Sequence, residues 1–332
     1  MKSLIQELVE TTSPSGYESN VREVIRSKIT PYADEVSVDA LGNLIAVKKG
    51  QNLGGKRIML AAHMDEIGII ATHVDDSGFV RFTTLGGVSR HTCVGGRVRF
   101  LNGAQGVIYY ETLENATSLP TFNQMYIDVG ATSHADCPVR IGDVASFDRP
   151  FSAYGDRLVS KAMDDRIGVA VLIETLLKLK KTPHQVYFVF SVQEEVGLRG
   201  ATTAAFGLDP DIGIAVDVTR SGDTPKGVKM DVSLGSGPAI KVRDSGMLSD
   251  PKVVDWMVNA AENAKIPYQL EVLEAGTTDA RAIQLTRAGV PAGCISIPCR
   301  YVHAPSEMVD INDVQNAVEL LLALISQEAD LD

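Results

Sequence analysis

Four short runs of the chain are apolar nearly throughout: Ile58-Met59-Leu60-Ala61-Ala62, Val186-Tyr187-Phe188-Val189-Phe190, Ile212-Gly213-Ile214-Ala215-Val216 and Gly293-Cys294-Ile295-Ser296-Ile297. A strand with one wet face alternates apolar and polar residues, so strands lacking that alternation must be covered on both sides. The covering segments lie between them. Ile167, Val171, Leu172, Leu176 and Leu179 recur at helical spacing, and residues 253–264 and 314–325 read as two more helices. Nearer the start, Ile5, Leu8 and Val9, then Val21, Val24, Ile25 and Ile29, mark two amphipathic helices on either side of a Ser13-Pro14-Ser15-Gly16 breaker. Short strands at 35–39 and 43–47 follow. Helices alternating with buried strands predict an α/β domain whose mostly parallel sheet is sandwiched by helices.

Between Gly68 and Gly155 the texture changes. Short β-type runs at 80–83, 97–100, 106–110, 125–128 and 143–147 are separated by glycine turns, with no convincing helix among them. Such spacing predicts a small antiparallel β-barrel. The simplest division is therefore an α/β domain of residues 1–67 and 156–332, interrupted by a barrel at 68–155. A length of 332 residues, 45% of them hydrophobic, suits two domains.

Acidic residues outnumber basic ones, 42 to 31, for a formal net charge of −11. Without a Lys/Arg-rich run, the chain lacks the cations needed to displace counterions from phosphates, so nucleic acid is not an expected partner. No apolar stretch approaches the roughly 18 residues of a membrane span, so no membrane partner is expected. Acidic Glu7 comes too early for a signal peptide, which places the protein in the cytoplasm. Cys93, Cys137, Cys294 and Cys299 are accordingly read as free thiols.

In an open α/β sheet, functional groups gather beyond the carboxyl ends of the strands. Four such ends carry acids or histidines: His63-Met64-Asp65-Glu66, Ser191 to Glu195, Asp217, and the segment to His303. Met163-Asp164-Asp165 adds a fifth cluster where a helix begins. Singly, each has a structural explanation, such as a helix-capping aspartate. Together at one sheet edge they make the ligand set of a divalent metal site. Charge balance favours two ions: two dications facing three carboxylates and two neutral imidazoles leave a single positive charge, which one hydroxide cancels. Mixed imidazole and carboxylate donors suit zinc or cobalt.

The segments Ala62-His63-Met64-Asp65-Glu66-Ile67-Gly68, Lys161-Ala162-Met163-Asp164-Asp165-Arg166-Ile167-Gly168, Glu194-Glu195-Val196-Gly197-Leu198-Arg199-Gly200-Ala201 and Cys299-Arg300-Tyr301-Val302-His303 closely resemble the tetrahedral, or TET-type, metallo-aminopeptidases. That family also carries the labels glutamyl, leucyl and deblocking aminopeptidase, and sometimes endoglucanase. The resemblance covers essentially the whole chain and implies a zinc-peptidase-like fold. It implies that His63 and Asp217 hold one metal, Glu195 and His303 the other, and that Asp164 bridges them. Glu194 would be the general base, and Asp65 would orient the His63 ring. A metal-activated water would attack the N-terminal peptide bond of a small peptide, with Glu194 taking its proton and passing it to the leaving amine. Asp279 is a candidate substrate-side contact for the free α-amine, or equally a capping aspartate. Ala304 departs from the pattern, where serine is more often expected. The resemblance also implies that the inserted barrel is a dimerisation domain and that dimers assemble into a hollow dodecamer. The remaining histidines, His73, His91, His134 and His184, are expected to be structural or on the surface.

Three alternatives stand beside this reading. A glycoside hydrolase needs two carboxyl groups and no metal, and would leave the His63/His303 pair unexplained. Its sugar cleft commonly offers aromatic rings, whereas the single tryptophan, Trp256, falls on the inward face of a helix. An inactive peptide-binding shell would be expected to have lost a ligand or the base. A metallo-dipeptidase or carboxypeptidase could use similar ligands. The preferred N-terminal residue is expected to be neutral and aliphatic, with acidic ones next.

Overall fold

The computed structural model describes residues 1–51, 54–115, 117–329 and 331. The four apolar runs form the centre of an eleven-stranded sheet, in which the strands Gln185–Ser191, Arg57–His63, Ile212–Arg220 and Ala292–Arg300 lie side by side and parallel. Nearly all of their residues are buried, as continuous apolar runs require. The margins differ from a simple parallel sheet. Glu35–Val38 and Leu44–Lys48 pair as a hairpin, and the second lies antiparallel to Gln185–Ser191. On the other side Glu307–Asp310 and Arg157–Ser160 also run antiparallel. Two of these reversals follow from short links, residues 39–43 and 301–306, which leave no room for a crossover.

Helices Met163–Lys178, Pro251–Ala264 and Ile311–Ile325 cover the sheet together with the two N-terminal helices, Lys2–Glu10 and Ser19–Ile29. Met163–Lys178 is buried almost all round, which explains why its apolar residues exceed a single stripe. Trp256 is 8% exposed and belongs to this core. A helix at Arg199–Leu208, rich in alanine and threonine and so weak in apolar pattern, is an addition to the elements legible in the sequence.

The strands Gly68–Val74, Val80–Leu85, Met125–Asp128, Gln105–Tyr110, Arg97–Phe100 and Val144–Phe147 close into an antiparallel barrel, in that order around its wall. Its interior is a separate apolar cluster that includes Val80, Phe82, Val98, Phe100, Ile108 and Ile127. The next strand, Ser152–Tyr154, already pairs in the large sheet. The four cysteines are unpaired, three of them buried. His184 is fully buried, accepting from the Lys56 amide at Nδ1 and donating to the Gln327 carbonyl from Nε2, a structural role. Among the described residues no helix is long and apolar enough to cross a membrane.

Candidate metal centre

Three neighbouring parallel strands end at the same edge, and each delivers a candidate ligand or leads into one. His63 closes its strand beside Ser191, which leads into Glu194 and Glu195, and Asp217 lies near the end of the next strand. His303 follows the fourth parallel strand, in a loop where Tyr301 and His303 both have φ of +64°. Asp164 comes from the start of helix Met163–Lys178. Its backbone leaves helical geometry at Asp164 and Asp165, which turns two adjacent carboxylates to different tasks. Asp165 accepts from the Gly168 amide, capping the helix, and from the His63 amide. A Cβ on Gly168 would meet the Asp165 carboxylate at 2.4 Å, so the Asp-Asp-Arg-Ile-Gly motif needs its glycine. Asp164 is free to face the site.

The sequence-predicted ligands meet there. Asp164 Oδ1 lies 3.0 Å from His63 Nε2, and Asp164 Oδ2 lies 3.2 Å from His303 Nε2, so one carboxylate presents a different oxygen to each imidazole. Asp217 Oδ1 is 3.9 Å from His63 Nε2, and Glu195 Oε1 is 3.3 Å from His303 Nε2. Two donor triads result, His63/Asp164/Asp217 and Asp164/Glu195/His303, with the donors of each within 4.8 Å of one another. Ligands about 2.0–2.1 Å from a tetrahedral ion stand about 3.3 Å apart, close to these separations. Buried Glu195 Oε1 makes no hydrogen bond, leaving an acceptor for a cation. The donor set therefore fits divalent ions.

Electrostatics match this crowding. Burial, joined by the charges of Asp217, Glu195 and Asp279, pushes Glu194 well above the usual carboxylate range, against the pull of His63. Burial and then Asp164 do the same to Asp217. For Asp164 burial is outweighed by hydrogen bonds and charge from His303 and His63, and its carboxyl is held low. Glu194 Oε2 stands 3.9 Å from His63 Nε2, beside the donor cluster without belonging to either triad.

Asp65 does more than orient an imidazole. Its Oδ1 is 3.4 Å from His63 Nδ1, and it accepts from the Glu194 amide at 3.0 Å, while Oδ2 accepts from the Glu195 amide at 3.2 Å and Ser15 Oγ at 2.6 Å. One buried carboxylate thus contacts a candidate ligand, the candidate base and a second candidate ligand. The Ser13-to-Gly16 stretch, read from sequence only as a breaker, supplies Ser15 to this layer. Nearby Glu18 accepts from the Gln193 amide at 3.1 Å. Fully buried Arg166 donates to the carbonyls of Met64, Leu8, Thr11 and Ser13, and Glu66 takes Lys161 at 2.7 Å, tying the N-terminal helix to the His63 turn. These partners are distant in sequence and many are backbone groups, which residue patterns do not reveal. Glu307, whose carboxylate accepts from the Asp164 and His303 amides, is hidden from the sequence for the same reason. Asp279 is the first residue of helix Asp279–Gln284, 2% exposed, with Ser191 Oγ bonded to its Oδ2 and with Oδ1 unpartnered. Burial pushes it up to about 6, and it is not among the residues lining the cavity.

That cavity, about 940 Å³, opens on the donor cluster. Leu198, Phe206, Leu273 and Leu285 line it with Arg220 and Arg281. The barrel also reaches the site. A Cβ on Gly87, just beyond strand Val80–Leu85, would lie 2.5 Å from His303 Nδ1. Gly87→Ala is therefore expected to displace the imidazole and weaken divalent-ion binding at the Asp164/Glu195/His303 donors by about 10–100-fold, the scale of lost ligand support, as measured by metal titration of the folded variant.

The chain matches the model of the M42 glutamyl aminopeptidase family over residues 42–320. It is 35% identical to the lysyl aminopeptidase of Pyrococcus furiosus, across 99% of this chain and 98% of that protein. Aminopeptidase APDkam598 of the archaeon Desulfurococcus kamchatkensis superposes with a TM-score of 0.95 at 42% identity, covering 98% of this chain and 94% of that one. The TET1 peptidase of Pyrococcus horikoshii, which can assemble into a tetrahedron or a large octahedral shell, gives 0.89 at 32% identity, with coverage of 98% and 99%. By the extent of these matches the chain belongs to the M42 glutamyl aminopeptidase family and is a peptide hydrolase.

Proposed function

We propose that the protein is a two-metal aminopeptidase that removes the N-terminal residue of small peptides. The observation that carries this reading is the split of Asp164, whose two oxygens face two imidazoles, each backed by a further carboxylate. His63 and Asp217 would hold one ion, Glu195 and His303 the other, and Asp164 both. When bound, such ions, zinc or cobalt by donor type, supply Lewis acidity that polarises a carbonyl and acidifies water.

The chain's own residues do the rest. Glu194, beside the ligands and raised by burial above an ordinary glutamate, would accept a proton and return it to the departing amine. Asp65 keeps the base and both neighbouring ligands in register. The acidic surroundings attract a free α-amine, and Asp279 contributes charge to them from behind. The apolar wall of Leu198, Phe206 and Leu273 favours a neutral aliphatic first residue, and Arg220 and Arg281 make acidic ones next best.

Barrel residues Val107 and Tyr109 are exposed on one strand, and we infer that copies of the chain pair through the barrel and assemble further, as dimers into a dodecamer. Light scattering on the purified protein tests this. Four unpaired thiols suit the cytoplasm.

The decisive experiment compares an aminoacyl arylamide with its N-acetylated form before and after chelation, with zinc or cobalt then restored. We expect cleavage of the free amine only, lost on chelation and regained with metal. Equal cleavage of the acetylated form would exclude an aminopeptidase, and survival of activity under chelation would exclude the metal mechanism.

A further inference from the structure

Strand Glu307–Asp310 lies against Arg157–Ser160, with Glu307 opposite Ser160, and its next residue pairs with Arg300 at the end of a parallel strand. This wedges Glu307 between the segments that deliver Asp164 and His303. The side chain is 2% exposed, and no basic side chain forms an ion pair with it among the described residues. Its two oxygens are instead used on backbone amides: Oε2 accepts from Asp164 N at 3.0 Å, and Oε1 accepts from His303 N at 2.7 Å. One carboxylate thus grips the main chain of two ligands from different parts of the fold. The His303 loop needs such a hold, because Tyr301 and His303 both adopt a left-handed conformation that side chains disfavour. Asp164 likewise sits where the helix backbone departs from helical angles.

We propose that Glu307 is a positioning residue for the metal centre, setting the separation of Asp164 and His303 and so selectively supporting the ion held by Asp164, Glu195 and His303. This rests on the two-metal reading above. The selectivity follows from the donor sets. Glu307 pins two of the three donors in that triad but only Asp164 in the triad with His63 and Asp217. Glutamine at this position keeps the volume but turns an NH₂ toward one of the two amide N–H groups, so one bond is replaced by a donor facing a donor.

The test is titration of the metal-free full chain with Zn²⁺ by calorimetry and with Co²⁺ by visible absorption, for the natural protein, Glu307→Gln and Glu307→Asp. Wild type is expected to take two ions. Glu307→Gln should retain one near its original affinity and bind the other about 10–100-fold more weakly, with a changed Co²⁺ spectrum for that ion alone. Glu307→Asp keeps both acceptors on a shorter arm and should recover part of the loss. Wild-type affinities and spectrum in Glu307→Gln, or equal weakening of both ions, would overturn the assignment. Should the glutamine variant not fold, the aspartate variant decides: a weakened second ion with an altered spectrum supports the role, and unchanged binding refutes it. A natural protein that takes up fewer than two ions would instead refute the two-metal reading itself.

Discussion

Replacing Glu194 with alanine is expected to lower hydrolysis of an aminoacyl arylamide by about 10²–10⁴-fold, the usual contribution of a positioned acid–base group. Metal content should stay at the wild-type level, because Glu194 stands beside both donor triads and belongs to neither. Its backbone amide would still bond to Asp65, so the neighbouring Glu195 ligand keeps its support. The informative measurement pairs kcat/KM with metal analysis on the same sample. Lost activity with two ions retained marks the proton carrier. Unchanged activity would remove Glu194 from the mechanism, and lost metal would make it a ligand instead.

Asp164→Ala should have the broader effect. Its carboxylate contributes to both triads, 3.0 Å from one imidazole and 3.2 Å from the other. Without it each triad falls to two donors. Since removing an outer partner of a metal ligand already costs about 10–100-fold in affinity, loss of a shared ligand should weaken both ions by more than about 100-fold. Activity at a fixed, low metal concentration should fall with them. Asp165→Asn makes a useful contrast, because Asp165 caps the helix and supports the His63 amide without entering a triad. It should lower the melting temperature while retaining both ions. Should Asp164→Ala lose only one ion, the shared role of the carboxylate would be wrong.

The parts of this site visible in sequence are those whose position follows from a strong local pattern. His63 and Asp217 sit at the carboxyl ends of runs too apolar to be anything but buried strands, and Glu194 and Glu195 follow a third such run. The barrel was visible for a similar reason, through short strands punctuated by glycines. The supporting layer was not. Glu18, Arg166 and Glu307 act on main-chain groups brought near only by the finished fold, and a backbone group has no residue identity to find in a sequence, while Ser15 reaches the Asp65 carboxylate fifty residues away. Nor could residue type separate Asp164 from Asp165. Their roles diverge because the chain leaves helical angles at that point. Asp279 shows the converse: a carboxylate in a suggestive motif lies behind the cavity wall, bonded to Ser191. Strand composition does not reveal the antiparallel margins of the sheet, where two of the reversals follow from short links between the paired strands.

Gly87 sets a limit on how this enzyme can be taken apart. It belongs to the stretch between barrel strands, yet the space it leaves open is filled by the His303 ring, while the Cβ of neighbouring Gly86 would come within 3.1 Å of the Glu195 carboxylate. The barrel is therefore not a detachable module carried by a self-sufficient catalyst. A shortened chain that joined residue 67 directly to residue 148 would keep every proposed ligand and the proposed base but lose the surface on which the His303 imidazole rests. Exchanging barrels between relatives meets the same requirement: the graft must bring a turn bare enough for the histidine, or the His303 ring loses its seat.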